Sequence, residues 1–220
     1  MPPLTPFVHA AVAVDLVVFT ITDSDLKVLL ISRRNPPHGY ALPGGFVRDG
    51  ESVEAAAYRE LEEETGLPRR SLFLEQLYTF GGIERDPRGR VVTIAHFALI
   101  RPDLAPFVTA GTDAARAEWW SLTKVGEARL VFDHGAILDV ALERIRGKLD
   151  YTAIAFDLVP ETFTVTELRT VYEAIQGRPY DAPNFRRRFN RMLGDGLLEE
   201  APGRRRTGKR PAKVYRFRRG

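Results

Sequence analysis

Cysteine is absent from the 220-residue chain, which excludes disulfides, thiolate zinc sites and a cysteine nucleophile. Histidine is scarce, and the four present, His9, His38, His96 and His134, show no metal-ligand spacing. Long apolar runs are missing as well. The nearest approach to one, Ala10 to Thr20, is interrupted by Asp15 and has neither a basic start nor a small-residue cleavage site. That speaks against a signal peptide and a membrane span. The expectation is a soluble, cytoplasmic chain with no membrane partner. Internal repeats are not evident.

With 44% apolar and 28% charged residues, the composition is that of packed soluble proteins rather than disordered ones. The length suits one medium domain with a smaller partner. Charge divides the chain in the same way. Residues 151–220 hold 15 Lys+Arg against 8 Asp+Glu, a balance of +7, which leaves −4 for residues 1–150 out of a total of +3. A polyanion of macromolecular size should meet the second part.

Residues 8–20 and 26–32 are rich in Val, Ile and Leu and flank Thr22-Asp23-Ser24-Asp25, which reads as two strands and a turn. Arg33 to Gly45, with paired Pro, Pro43 and three Gly, reads as loop. Glu51 to Thr65 reads as a helix ended by Gly66. Strands are expected at 73–80, 91–100 and 116–121, and a further helix at 133–148. Such alternation indicates a mixed sheet covered on both faces. In the adjacent pair Trp119-Trp120 the two rings should face opposite sides of a strand, as core residues.

The strongest signal is Gly45, five residues, Glu51, seven residues, Arg59-Glu60-Leu61, one residue, Glu63-Glu64, one residue, Gly66-Leu67. On a helix Glu60 and Glu64 lie one turn apart with Glu63 beside them, so three carboxylates share a face. Each like-charge contact costs some tenths of a kcal/mol, a penalty that an oxygen-loving cation such as Mg²⁺ or Mn²⁺ would reverse. Arg59, four residues before Glu63, can orient it. Gly45 lets a backbone carbonyl approach a cation, and Glu51 sits where the loop enters the helix.

This pattern matches the Nudix box at every specified position; by chance it would arise in well under about one chain in a million. The resemblance covers residues 8–148 and implies a mixed-sheet α/β/α sandwich. In Nudix enzymes the matching residues hold metals that neutralise a diphosphate while a carboxylate helps water attack phosphorus. The resemblance therefore implies catalytic roles for Glu51, Arg59, Glu60, Glu63 and Glu64, with Gly45, Glu60, Glu63 and Glu64 as metal ligands. Tyr78 to Arg90 reads from composition equally as a substrate loop or a solvated hairpin tip. Its Arg85-Asp86-Pro87-Arg88-Gly89 resembles a loop of Nudix proteins that recognise ADP-ribose, which makes Arg85, Asp86 and Arg88 substrate-binding candidates. Phe46, Arg33 and Arg34 join them, although the last two could equally be surface charges.

Beyond Gly147, Thr164-x-x-Glu167 has the form of a capping box opening a helix to about Gln176, which Gly177 and Pro179 end. A second helix begins near Asp181. Its Phe185, Phe189, Met192 and Leu193 recur at helical spacing, leaving Asn184, Arg186, Arg187, Asn190 and Arg191 on other faces. Leu197–Glu200 and Val214–Phe217 read as strands around a basic turn, and nine Lys+Arg with no acid lie between Gly203 and Gly220. The segments 171–179 and 184–189 resemble the C-terminal winged helix of Nudix-related transcriptional regulators of the NrtR type, which control NAD-metabolism genes and respond to ADP-ribose.

The expectation is then a Nudix domain over 1–150 and a winged helix-turn-helix over 151–220. Asn184, Arg186, Arg187, Asn190 and Arg191 would read double-stranded DNA, while Arg204, Arg205 and Arg206 meet phosphates. A homodimer is expected, because winged-helix regulators commonly read two half-sites. Many such regulators carry a degraded box; the intact one here favours a bifunctional protein that senses and cleaves ADP-ribose or a related nucleotide. The competing reading is a metabolic ADP-ribose pyrophosphatase whose basic domain is accessory.

Overall fold

The computed structural model describes residues 9–67, 69, 73–108, 114–149, 154–206 and 211–218. The expected domain boundary at 150–151 and the tip of the basic turn at 207–210 lie outside these residues.

Strands β1 (Ala11–Thr22) and β2 (Asp25–Arg33) form the antiparallel hairpin expected from the sequence. Both turn residues, Asp23 and Ser24, have positive φ (55° and 63°), the pattern of the tight turn whose twist matches the flanking strands. The stretch read as loop contributes two short strands, β3 (Tyr40–Ala41) on β2 and β4 (Gly44–Phe46) on β1. Elements of two and three residues have no periodicity to detect, and their pairing is dictated by the neighbouring edges. Helix α1 (Val53–Thr65) starts where the Ser52 hydroxyl accepts from the Ala55 amide at 3.1 Å and stops at Gly66 in the left-handed conformation.

β5 (Phe73–Phe80), β6 (Val91–Leu99) and β7 (Ala114–Ser121) complete a sheet of order β3-β2-β1-β6-β5, with β4 added on β1 and β7 on β2. β1 runs parallel to β6 and antiparallel to β2, so the sheet is mixed. Period-two alternation sorts its side chains. Val14, Leu16 and Val18 pack with Ala56, Ala57 and Leu61 of α1. Val17, Phe19 and Ile21 point the other way, onto Ile137, Leu138, Ala141 and Ile145 of α2 (His134–Lys148). Trp119 joins the α1 side and Trp120 the α2 side, as the sequence predicts.

A short 3₁₀ segment, Ile154–Leu158, leads into α3 (Val165–Gln176). The capping box is complete: Thr164 Oγ1 accepts from the Glu167 amide at 3.2 Å, and a Glu167 carboxylate oxygen accepts from the Thr164 amide at 2.7 Å. α4 (Ala182–Gly194) is capped by Asp181, and β8 (Leu198–Arg206) pairs antiparallel with β9 (Pro211–Phe217). Both strands run further than the sequence suggests, because backbone pairing carries the ladder through exposed arginines. Phe163 exchanges two backbone hydrogen bonds with Tyr215, tying the start of α3 to the hairpin. Phe185, Phe189, Tyr172 and Tyr215 belong to the same apolar cluster as the α2 face of the large sheet. The two parts of the chain therefore share one continuous core.

Candidate functional site

One wall of a cavity of about 540 Å³ is formed by β4 and α1, and the facing wall by the end of β2 and the loop after β5. Gly45, Phe46, Glu60, Glu63, Glu64, Arg33, Arg34, Arg85, Asp86 and Arg88 all line it. Residues from four separate stretches of sequence are thus gathered at one place.

On the acidic wall Glu60 and Glu64 are 8% and 7% exposed, whereas the Glu63 side chain is 47% exposed. Burial pushes the Glu60 carboxyl above its usual range. A Cβ on Gly45 would lie 2.1 Å from Glu60 Oε1, so glycine is what lets that carboxylate rest against β4. Arg59 lies behind the wall. Its Nε and Nη2 donate to the two oxygens of Glu51 at 2.8 and 3.0 Å, and Nη1 donates to Glu60 at 2.5 Å and Glu63 at 3.3 Å. The hydrogen bonds from the Arg59 side chain, then that from the Arg48 amide, hold Glu51 down at about 2.

All three glutamates line the same cavity, Glu60 and Glu64 buried and Glu63 more exposed. Among the described residues no three acidic or imidazole groups are gathered so as to hold a metal ion. Glu63 pairs with Arg59 and with Arg48, each at 3.3 Å, which offsets part of the like-charge repulsion along the helix. The donor chemistry nevertheless fits a hard divalent cation, since carboxylate oxygens line one wall and a cation would offset the burial of Glu60.

The opposite wall is basic. Arg88 donates to Asp86, which is buried and held below the usual carboxylate range first by that contact. The Arg88 guanidinium lies 5.6 Å from the Phe46 ring and 5.3 Å from Phe132; Arg33 lies 5.1 Å from Phe132. Arg85 differs from the other candidates. Its side chain is 5% exposed and bonds Asp133 at 2.7 and 2.9 Å and Asp15 at 3.1 Å. Removing one partner from such a buried pair costs about 3–5 kcal/mol, so Arg85 secures the floor of the cavity.

Three contributors were not singled out from the sequence: Asp15, Phe132 and His134. The signal for Asp15 was present, since a charge inside an apolar strand needs a reason. His134 Nδ1 accepts from the Leu42 amide at 2.8 Å, which puts its proton on Nε2, 3.5 Å from Asp15. Burial lowers the pKa of this imidazole. Nothing in the spacing of Phe132 and His134 marks them.

A second polar surface lies on α4. Asn184, Arg186, Arg187, Asn190 and Arg191 are all exposed, while Phe185 and Phe189 are buried behind them. Arg204 and Arg206 project from β8 into solvent. Arg205 turns inward instead, donating to Glu167 at 3.0 Å and to the Thr162 hydroxyl at 3.0 Å. Its charge is already compensated. No helix among the described residues is long and apolar enough to cross a membrane.

Residues 11–140 match the family model of the NUDIX domain, and residues 155–217 that of the NrtR DNA-binding winged helix domain. The chain is 39% identical over 208 residues to the ADPR responsive transcriptional repressor NtrR of Acinetobacter baylyi, covering 93% of this chain and 80% of that one. It is 41% identical over 134 residues to the ADP-ribose pyrophosphatase of Methanocaldococcus jannaschii, covering 60% of this chain and 73% of that one. The crystal structure of Shewanella oneidensis NrtR complexed with a 27mer DNA superposes with a TM-score of 0.82 at 34% identity, covering 94% of this chain and 93% of the other. The chain therefore belongs to the NUDIX-domain proteins that carry an NrtR-type DNA-binding winged helix.

Proposed function

We propose that the chain is an ADP-ribose-responsive transcriptional regulator whose Nudix pocket also retains hydrolytic activity. The observation that carries this is a single cavity with carboxylates on one wall and guanidiniums on the other, in a chain that also presents an arginine-rich helix face. A relative that responds to ADPR and one that is an ADP-ribose pyrophosphatase support the ligand class.

In this reading Glu60, Glu63, Glu64 and the Gly45 carbonyl would hold Mg²⁺ or Mn²⁺. The ion supplies charge neutralisation at the diphosphate. Arg59, fixed by Glu51, steers Glu60 and Glu63. Arg88 and Arg33 bind the phosphates, and Phe46 offers an exposed ring for stacking. Arg34 adds charge at the rim, and Arg85 with Asp86 keeps the loop in register. The winged helix, from about residue 151, would place α4 in the major groove of double-stranded DNA, with two copies of the chain reading two half-sites.

The complete Nudix box favours a second reading, a metabolic pyrophosphatase with an accessory basic domain. A gel shift with the DNA upstream of the chain's own gene separates the two: a specific shifted band belongs to the regulator and its absence to the enzyme. For hydrolysis, full-length protein with Mg²⁺ or Mn²⁺ should convert ADP-ribose to AMP and ribose 5-phosphate, and Glu64→Gln should slow turnover by about 10² or more. An inert wild type would leave ligand binding as the pocket's sole role.

A further inference from the structure

Phe132 has a positive φ of 56°, a backbone state that a bulky residue adopts only when its surroundings enforce it. Three side chains pack against its ring. The Arg33 and Arg88 guanidiniums lie over it at 5.1 and 5.3 Å, and His134 packs against it at 5.3 Å. Phe132 also stands two residues before the start of α2. The next residue, Asp133, gives its carboxylate to Arg85 rather than capping the helix, and His134 is fixed to the Leu42 amide.

The far end of α2 is fastened to the winged helix. Arg146 Nε donates to the Ile175 carbonyl in α3 at 2.9 Å, and Gln176 Nε2 donates to the Arg146 carbonyl at 3.4 Å. Arg188 of α4 donates to the Leu149 carbonyl at 3.1 Å and lies over the Tyr172 ring. Arg188 is flanked in sequence by Arg187, on the exposed face of the same helix. One continuous helix of about 22 Å thus joins the cavity floor to the arginine-bearing helix.

We propose that Phe132 is a positioning residue that reports occupancy of the pocket to α4 through α2. The inference rests on the ADP-ribose reading above. A diphosphate competes with the Phe132 ring for the two guanidiniums. When they leave the ring, the constraint on its backbone is lifted and the first turn of α2 re-seats. Because the helix is rigid and bonded at its other end, the shift reaches α3 and α4. Two arrangements of one packed element, biased by ligand at one end and DNA at the other, are what energetic coupling requires.

The test is a fluorescence-anisotropy titration of labelled duplex from the gene's own upstream region. Full-length protein carrying Glu64→Gln is used so that ADP-ribose survives. DNA affinity is compared without ligand and at saturating ADP-ribose, with saturation fixed by calorimetry for each variant. At saturation the ratio reports coupling alone, whatever the ligand affinity. The background protein should lose about tenfold in DNA affinity, a mid-range coupling. Phe132→Leu and, at the other end of the helix, Arg146→Ala should each reduce that factor below about twofold, while Phe132→Tyr, which keeps the ring, should preserve it. A full factor in Phe132→Leu overturns the inference, and so does loss of saturable ADP-ribose binding, which would make Phe132 a ligand contact only. If the background protein itself shows no factor, the sensing reading fails first, and this inference with it.

Discussion

His134 carries a consequence for pH. Burial lowers its pKa below the usual 6.5, so the unfolded chain takes up a proton that the folded chain refuses. The stability of neutral His134 is therefore fully present above about pH 6.5 and is lost as pH falls toward the lowered folded value. His96, also lowered by burial, acts with the same sign. Urea denaturation at pH 5, 6, 7 and 8 should show stability rising with pH across this interval. His134→Gln, which cannot titrate, should flatten the rise; an equally steep rise in the variant would show that His134 is not its source. At this scale the box glutamates and Arg59 were legible in the sequence because their spacing is diagnostic. Arg85 was legible as a charge in the right loop but not as a buried one. Its partners Asp15 and Asp133 lie 70 and 48 residues away, and only the fold brings them together.

Among the elements, the helices were the most legible, because caps and periodicity are local. Gly66, Thr164, Gly177 and Asp181 all stand at the helix ends that their chemistry suggests. β3 and β4 were not legible, although β4 is the element that carries Gly45 to the glutamates. For α4 and the hairpin, side-chain placement makes a graded prediction. Arg186→Ala and Arg187→Ala should each weaken specific DNA binding by roughly 1–3 kcal/mol, the range of a base contact. Neutralising Arg204 and Arg206 should leave sequence preference intact and lower the slope of log affinity against log salt by about 2. Arg205→Ala should change that slope far less, since Glu167 already holds its charge. Anisotropy titrations between 50 and 200 mM salt supply both readouts. A fall in slope of about 1 for Arg205→Ala, the same per residue as for Arg204 and Arg206, would remove the distinction between free and compensated charges.

For the whole molecule, net charge changes sign between residues 1–150 and 151–220, and the NUDIX match at 11–140 and the winged-helix match at 155–217 fall on either side of that change. What composition could not foretell is that their cores are continuous, since that depends on α2 packing against the large sheet on one side and meeting α3 at its end. A shared core gives the pocket and the DNA face a physical means of affecting each other, and coupling between two binding sites is reciprocal. Calorimetric titration of ADP-ribose into full-length Glu64→Gln protein, alone and saturated with its operator duplex, tests the central claim most directly. The account predicts that DNA weakens ADP-ribose binding by the same factor, about tenfold, by which ADP-ribose weakens DNA binding. Identical ADP-ribose affinity with and without DNA would contradict it.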